Sequence, residues 1–309
     1  MQIDLPLEME SIMTKTVFLT IAGRTNAGKS SLLNAVVGEK IASVSGKSQT
    51  TRTRITGIRT IGETQLVFMD TPGLHKPKNK LGTHMLRAVK ESVSGIDAVI
   101  FVADCTRPLG EQEENLLKDI CADRTPVIFV LNKIDLLESM SRLAPVIASL
   151  SAKFDLEAII PVSVTENNGV DIVISEAMKL AAEGPHFFPD DMITNQPEKV
   201  IAAEIIREKL LNLLDDEVPH GIAVTVEQMK ERSDKDIVDI HAVIYCEKES
   251  HKGIIIGKGG SMLKKAASLS RRELEEFFYI KVNLQCWVKV KEDWRNKEGV
   301  IRSFGLTEL

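Results

Sequence analysis

The chain has 309 residues, 43% of them apolar and 27% charged, with a formal net charge of -5. Such values suit a folded chain of about two domains at roughly 100 to 200 residues each, and they exclude disordered, collagen-like and membrane-embedded classes. The acidic total excludes a surface that is basic throughout, although a local basic face is enough to attract nucleic acid.

The opening tail, residues 1–14, carries three acidic residues and no lysine or arginine, unlike a secretory signal. No apolar run approaches the roughly 18 residues needed to span a bilayer. Cys105, Cys121, Cys246 and Cys286 are widely spaced and form no CxxC pair. They supply neither a disulfide framework nor a zinc ligand set, so a cytoplasmic setting is expected.

From residue 15 to 183, short apolar runs alternate with helical patterns. The runs at 16–23, 64–70, 98–104, 126–132 and 158–163 are nearly continuous in Val, Ile and Phe, the pattern of parallel strands covered on both faces. Between them, residues 111–123 set Leu116, Leu117 and Ile120 at helical spacing. This alternation predicts a doubly wound α/β sheet with its ligand site beyond the carboxyl ends of the strands. Residues 184–197 contain Pro185, Pro189 and Pro197 without periodicity and read as a linker. From 198 to 309 the pattern predicts a helix over 200–214, alternating strands over 221–230 and 236–248, and a glycine-rich break at 253–260. A helix over 261–278 follows, then a strand over 280–292 with Val282, Leu284, Cys286, Val288 and Val290 on one face. The order α-β-β-α-α-β is that of a smaller α+β domain.

Residues 23–30 fit GxxxxGK[ST], between a strand and a helix, the context this motif requires. Gly23, Asn26, Ala27, Gly28 and Ser31 contribute to a cradle whose backbone amides converge on phosphate oxygens, helped by the positive end of the helix. Lys29 is placed to reach the β- and γ-phosphates and Ser30 to ligate Mg²⁺. Asp70 ends the next strand, where it can hold the hydration shell of Mg²⁺, and the amide of Gly73 can report on a γ-phosphate. Asn132, Lys133 and Asp135 follow a later strand. A carboxylate there accepts two hydrogen bonds from N1–H and the exocyclic amine of guanine, which adenine cannot offer. Leaving such a buried polar group unpaired costs about 1–3 kcal/mol. Ser163, followed by Val164, ends the next strand and offers a backbone amide to the base oxygen.

These four motifs, in this order and each at a strand end, resemble the P-loop GTPases of the translation-factor class. The run from Asn26 to Asn34 and the segment Gln49–Arg52, which resembles switch I, narrow the match to the Era-like and MnmE-like branch. The resemblance implies GTP as substrate and GDP as product, with Thr51 as the second protein ligand of Mg²⁺. It also implies that Asn26 helps hold K⁺ near the phosphates, where the cation replaces an arginine finger, a device with an effect of about 10³–10⁵ in rate. Lys29, Asn26, Thr51 and Gly73 are then the groups acting on the reaction. Leu74 stands where Ras-like enzymes carry a water-orienting glutamine, which predicts slow intrinsic hydrolysis. His75 reads either as a proton-transfer group or as a solvated loop histidine; His84 lies in the same region.

Gly257-Lys258-Gly259-Gly260 is a GxxG loop joining two apolar helical faces, as in the type II KH fold, whose loop clamps about four nucleotides. Lys258 adds charge, and Lys252, Lys264 and Lys265 flank the loop. Between His251 and Lys291 nine Lys or Arg stand against three Glu, a basic patch on an acidic chain. Arg271 and Arg272 can instead pair with Glu275 and Glu276 along a helix. Trp287, Trp294 and Phe277 could stack bases, with core the expected place for Phe277. One GTPase domain followed by a type II KH domain is the arrangement of the Era-like GTPases; Val164 departs from the alanine usual there. The resemblance implies binding near the 3′ end of 16S-type ribosomal RNA, a role in small-subunit assembly, peripheral contact with the inner membrane, and a monomer. Two other readings stay open: an RNA-binding module in which guanine nucleotide is structural only, and an ATPase built on the same P-loop.

Overall fold

The computed structural model describes residues 13–45, 47, 52, 55–70, 79–81, 83–84 and 96–306. A first sheet has the strand order β2-β3-β1-β4-β5-β6, made of β1 Lys15–Gly23, β2 Ile55–Ile61, β3 Thr64–Asp70, β4 Ala98–Asp104, β5 Val127–Asn132 and β6 Ala158–Val162. β3, β1, β4, β5 and β6 run parallel. Alternate residues of each strand feed opposite faces, so both faces need cover. Ile100 and Val102 pack with α1 (Lys29–Val37) and α4 (Val170–Lys179). Val99 and Phe101 pack with α2 (Glu111–Ala122) and α3 (Leu143–Lys153).

Two strands carry no clear sequence signal. β2 pairs antiparallel with β3, and its Gly57 interrupts the apolar pattern. A Cβ at Gly57 would lie 2.7 Å from side-chain atoms of Leu33 and Val37 and 2.9 Å from Ile41, so glycine lets the end of α1 sit close on the sheet. The two-residue β7, Ala182–Glu183, pairs antiparallel with β1. Residues beyond it lie along the edge of the sheet. Gln65 Oε1 accepts the amides of Phe187 and Phe188 at 2.8 and 3.0 Å, and the Ile58 amide donates to Ile193 O at 2.8 Å. This strap covers polar backbone that an open edge would expose.

A second sheet has the order β10-β9-β8, with β8 Ala223–Glu231, β9 Ile237–Cys246 and β10 Lys281–Val290. β9 and β10 are parallel, so they need a crossover, supplied by α6 (Glu249–Ile256) and α7 (Ser261–Phe278). α5 (Glu198–Leu213) lies on the same face, where Ile201, Ile205 and Leu210 meet Ile240, Ile244 and Val282. Its other side faces the first domain and is polar yet buried. Glu208 accepts from Lys40 Nζ and the Val44 amide, both at 2.8 Å, and Ser43 Oγ donates to Glu204 O at 3.0 Å. Burial pushes the Glu208 carboxyl up, but Lys40, the Val44 amide and Lys209 outweigh it and hold it below the usual carboxylate range. The chain closes with a 3₁₀ turn at Trp294–Asn296 and α8 (Glu298–Ser303). Trp294 is fully buried with Leu81, Ala223 and Ile301, its Nε1 donating to Gly221 O at 2.8 Å.

His186 fastens the strap. Its Nδ1 lies 2.6 Å from Asp190 Oδ1 and its Nε2 3.1 Å from Glu63 O. Both partners are acceptors, so both contacts form fully only in the imidazolium. Burial lowers its pKa, but the bonds to Glu63 O and Asp190 outweigh that and leave it above 6.5. A raised folded value means the contribution is complete below pH 6.5 and is lost as pH rises through the folded pKa. Melting temperature followed from pH 5.5 to 8.5 should fall on that account, and a His186→Asn variant should lack this component.

Candidate functional site

The ligand-binding end lies where β1, β3, β4, β5 and β6 finish. After β1 the chain turns through Asn26, at φ 62°, and Gly28, at φ 100°, into α1. Asparagine tolerates that left-handed conformation better than other residues with a side chain. Gly28 has a second reason to be glycine: a Cβ there would fall 2.1 Å from Asn132 Nδ2. Asn132, at the end of β5, donates to Ala27 O at 2.9 Å and accepts from the Val164 amide at 3.3 Å. One carboxamide thus joins the loops that follow β1 and β6.

Lys29 is buried under this loop, its Nζ donating to Arg24 O at 3.2 Å. Burial lowers its pKa, opposed by Asp70 and Glu113, so a polyanion placed there would meet a poorly solvated cation. Ser30 Oγ donates to Asp70 Oδ2 at 2.7 Å. A hydroxyl beside a carboxylate is an oxygen-only donor set, which fits a hard dication such as Mg²⁺. Gly23 ends β1 and Ser31 lies in the first turn of α1. Thr51, Gly73, Leu74 and His75 lie outside the described residues, as do Gln49 and Thr50; His84 is half-buried.

Lys133 follows Asn132 in the left-handed region at φ 69°, a conformation that costs a side-chain-bearing residue about 1–3 kcal/mol. Asp135 stands exposed on the 3₁₀ turn Ile134–Leu136 just beyond. Ser163 differs from the expectation in its detail. Its amide donates to Asn168 O at 3.0 Å, while its Oγ accepts from the Glu166 amide at 3.2 Å. Ser163 therefore shapes the turn, its amide already engaged, while the Val164 amide makes only the long bond to Asn132.

Two residues given no individual role in the sequence take positions here. Asp104, at the end of β4, accepts from Lys133 Nζ at 2.7 Å. Arg52 is 3% exposed, and its guanidinium donates to the carbonyls of Ile222 and of His220, the latter at 2.9 Å, in the second domain. It also lies 5.6 Å from the ring centroid of Trp294. Neither role has a local signal, because each partner is distant in sequence or on another strand.

On the second domain, α6 ends at Gly257, and Lys258–Gly260 form one turn into α7. Lys258, Gly259, Lys264 and Lys265 are exposed, and Lys252 is half-buried, 3.8 Å from Glu249. The first turn of α7 has no side-chain cap, which leaves its amides for an anion. Arg271 and Arg272 are exposed and make no salt bridge with Glu275 or Glu276 among the described residues. Trp294 cannot stack bases, being fully buried. Trp287 is exposed beside His241, on the sheet face turned away from the helices that carry the loop. Phe277 is half-buried and packs against the core.

A Gly28→Ala substitution should weaken binding of a fluorescent guanosine diphosphate by about 10- to 100-fold. This follows from left-handed strain of about 1–3 kcal/mol together with displacement of Asn132. Far-ultraviolet circular dichroism should stay that of the parent.

Comparison with known proteins agrees with this fold. A family model described as 50S ribosome-binding GTPase matches residues 18–133, and one described as KH domain matches residues 217–295. The GTPase Era of Ruminiclostridium cellulolyticum is 49% identical over 291 residues, covering 94% of this chain and 97% of that protein. That of Clostridioides difficile is 47% identical, covering 96% and 100%. A solved structure of Era in complex with MgGDPNP and nucleotides 1506–1542 of 16S ribosomal RNA superposes with a TM-score of 0.91 at 36% identity, covering 96% of this chain and all of that one. An Aquifex aeolicus Era variant bound to GDP and AlF4⁻ gives 0.92 at the same identity and coverage. With a P-loop GTPase sheet, a KH domain behind it and near full-length identity to these relatives, the chain belongs to the Era family of GTPases.

Proposed function

We propose that this GTPase is a nucleotide-driven switch that binds single-stranded RNA near the 3′ end of 16S-type ribosomal RNA and assists assembly of the small ribosomal subunit. The solved relative bound to nucleotides 1506–1542 of 16S ribosomal RNA supports the choice of RNA. In this reading, residues 15–183 bind and hydrolyse GTP, 184–197 link, and 198–309 bind RNA through Gly257–Gly260, Lys252, Lys264 and Lys265. The protein acts as a monomer in the cytoplasm, with peripheral contact at the inner membrane. No described helix is long and apolar enough to cross a membrane.

Ser30, Thr51 and, through water, Asp70 would hold Mg²⁺, which when bound offsets charge on the phosphates. Asn26 would help hold K⁺. Lys29 faces the phosphates, the Gly73 amide senses the γ-phosphate, and Asp135 with Lys133 and the Val164 turn reads guanine. The Leu74 side chain can neither donate nor accept a hydrogen bond, so chemistry is slow until backbone or another group orders the attacking water.

The observation that carries the switch is Arg52. It belongs to the segment that resembles switch I, yet its guanidinium is spent on carbonyls of the RNA-binding domain. Ordering that segment around a γ-phosphate changes what Arg52 can reach.

GTP hydrolysis measured in K⁺ and Na⁺ at equal ionic strength should be faster in K⁺, and faster again with a small-subunit RNA 3′ fragment. Rates indifferent to both would leave a guanine-nucleotide binder with another trigger. RNA affinity should differ between forms loaded with a GTP analogue and with GDP, and Arg52→Ala should bring that ratio toward one. Equal affinities in the parent would remove the switch, whereas a ratio unchanged in Arg52→Ala would remove only this path.

A further inference from the structure

We propose that Asp104 is a positioning residue for guanine recognition, acting by holding the Lys133 side chain in place over the base. The proposal rests on the reading of Asn132–Asp135 as the base site. Asp104 is the last residue of β4 and pairs in register with Asn132, and the next amide, of Cys105, donates to Asn132 O at 3.0 Å. The strand ends are therefore locked together, with Asp104 directly beside the loop that carries Lys133.

The two carboxylate oxygens of Asp104 have separate duties. Oδ1 accepts from the Thr106 amide at 3.1 Å and from Thr106 Oγ1 at 2.6 Å, closing a turn. Oδ2 accepts from Lys133 Nζ at 2.7 Å; Arg107 Nε is more distant, at 3.9 Å. Asp104 is 9% exposed and Lys133 30% exposed, so the ion pair is sheltered on the aspartate side and open on the lysine side. Burial raises the Asp104 pKa, but Lys133 and Thr106 outweigh it and hold the carboxyl below the usual range, so it is charged at neutral pH.

Lysine carries large rotamer freedom, and its four-carbon stem covers a base only if the ammonium is anchored. Lys133 starts from a strained left-handed backbone, which aims the side chain but does not fix its end. Asp104 supplies the anchor before the nucleotide arrives, so the ordering cost falls on folding and not on binding. A carboxylate in this place without that duty would be only a turn-former, and asparagine makes the same turn.

That difference sets the test. In Asp104→Asn the amide oxygen stays on the two Thr106 donors, so the amide nitrogen faces Lys133, donor against donor. The turn survives and the anchor is lost. Dissociation of a fluorescent guanosine diphosphate from the full chain, kcat at saturating GTP and melting temperature are measured for the parent, Asp104→Asn, Lys133→Ala and the double variant. Asp104→Asn should release the nucleotide about 10-fold faster, the worth of one charged hydrogen bond, with kcat at saturating GTP changed far less than the release rate and melting temperature lowered only by the lost ion pair. In the Lys133→Ala background it should add nothing. Equal acceleration in both backgrounds, or none in either while Lys133→Ala releases faster, overturns the anchor. If Lys133→Ala itself has no effect, the base-site reading falls first, and the anchor with it.

Discussion

One buried carboxamide, that of Asn132, fixes the geometry on which the nucleotide end depends. It spans from Ala27 O to the Val164 amide, so the loops after β1 and β6 are set against each other from the end of β5. A buried amide of this kind is costly to leave unmatched, and it permits few alternative arrangements of the loops it joins. The absence of a Cβ at Gly28 follows from it. Directly after Asn132 the chain takes an abrupt left-handed step at Lys133, which turns it out of the strand.

The contact between the two domains is built on a different principle. Its centre is charged and buried: Arg52 crosses to the carbonyls of His220 and Ile222, beside the Arg207–Glu204 and Arg295–Glu247 pairs that lie within the second domain. Burial and the neighbouring Arg207 bring Arg52 down to about 9, opposed by Glu204, which still leaves it protonated at neutral pH. An apolar seam would tolerate sliding. A guanidinium on fixed carbonyls does not, because donor directions must match. Such an interface has few docked orientations, and removing one partner leaves a buried charge uncompensated.

Much of the fold is legible in the sequence because its cues are local. Runs of Val, Ile and Phe mark β1 and β3 to β6, and period-two alternation marks β10 with Trp287 outward. β2 escapes because Gly57 answers to α1 and not to its own strand. The P-loop, Asp70 and Asn132–Asp135 can be found by motif, since each places chemistry at a strand end. Asp104 hides in plain view as the last letter of a strand, where only three-dimensional pairing with Lys133 gives it a duty. Trp294 misleads for a similar reason. An aromatic in a basic, polar stretch suggests stacking, but its partners Leu81 and Ala223 come from distant segments.

The burial of Trp294 gives the chain a property of its own. There are two tryptophans, and the fold separates them completely: Trp287 meets solvent on the open sheet face, and Trp294 sits dry at the domain seam near Arg52. An indole in water emits at longer wavelength than one in an apolar setting, and a nearby guanidinium perturbs its excited state. Opening of the seam would therefore register as a red shift from one residue while the other serves as an internal reference. The molecule carries its own optical gauge of how its domains are docked, with no label required.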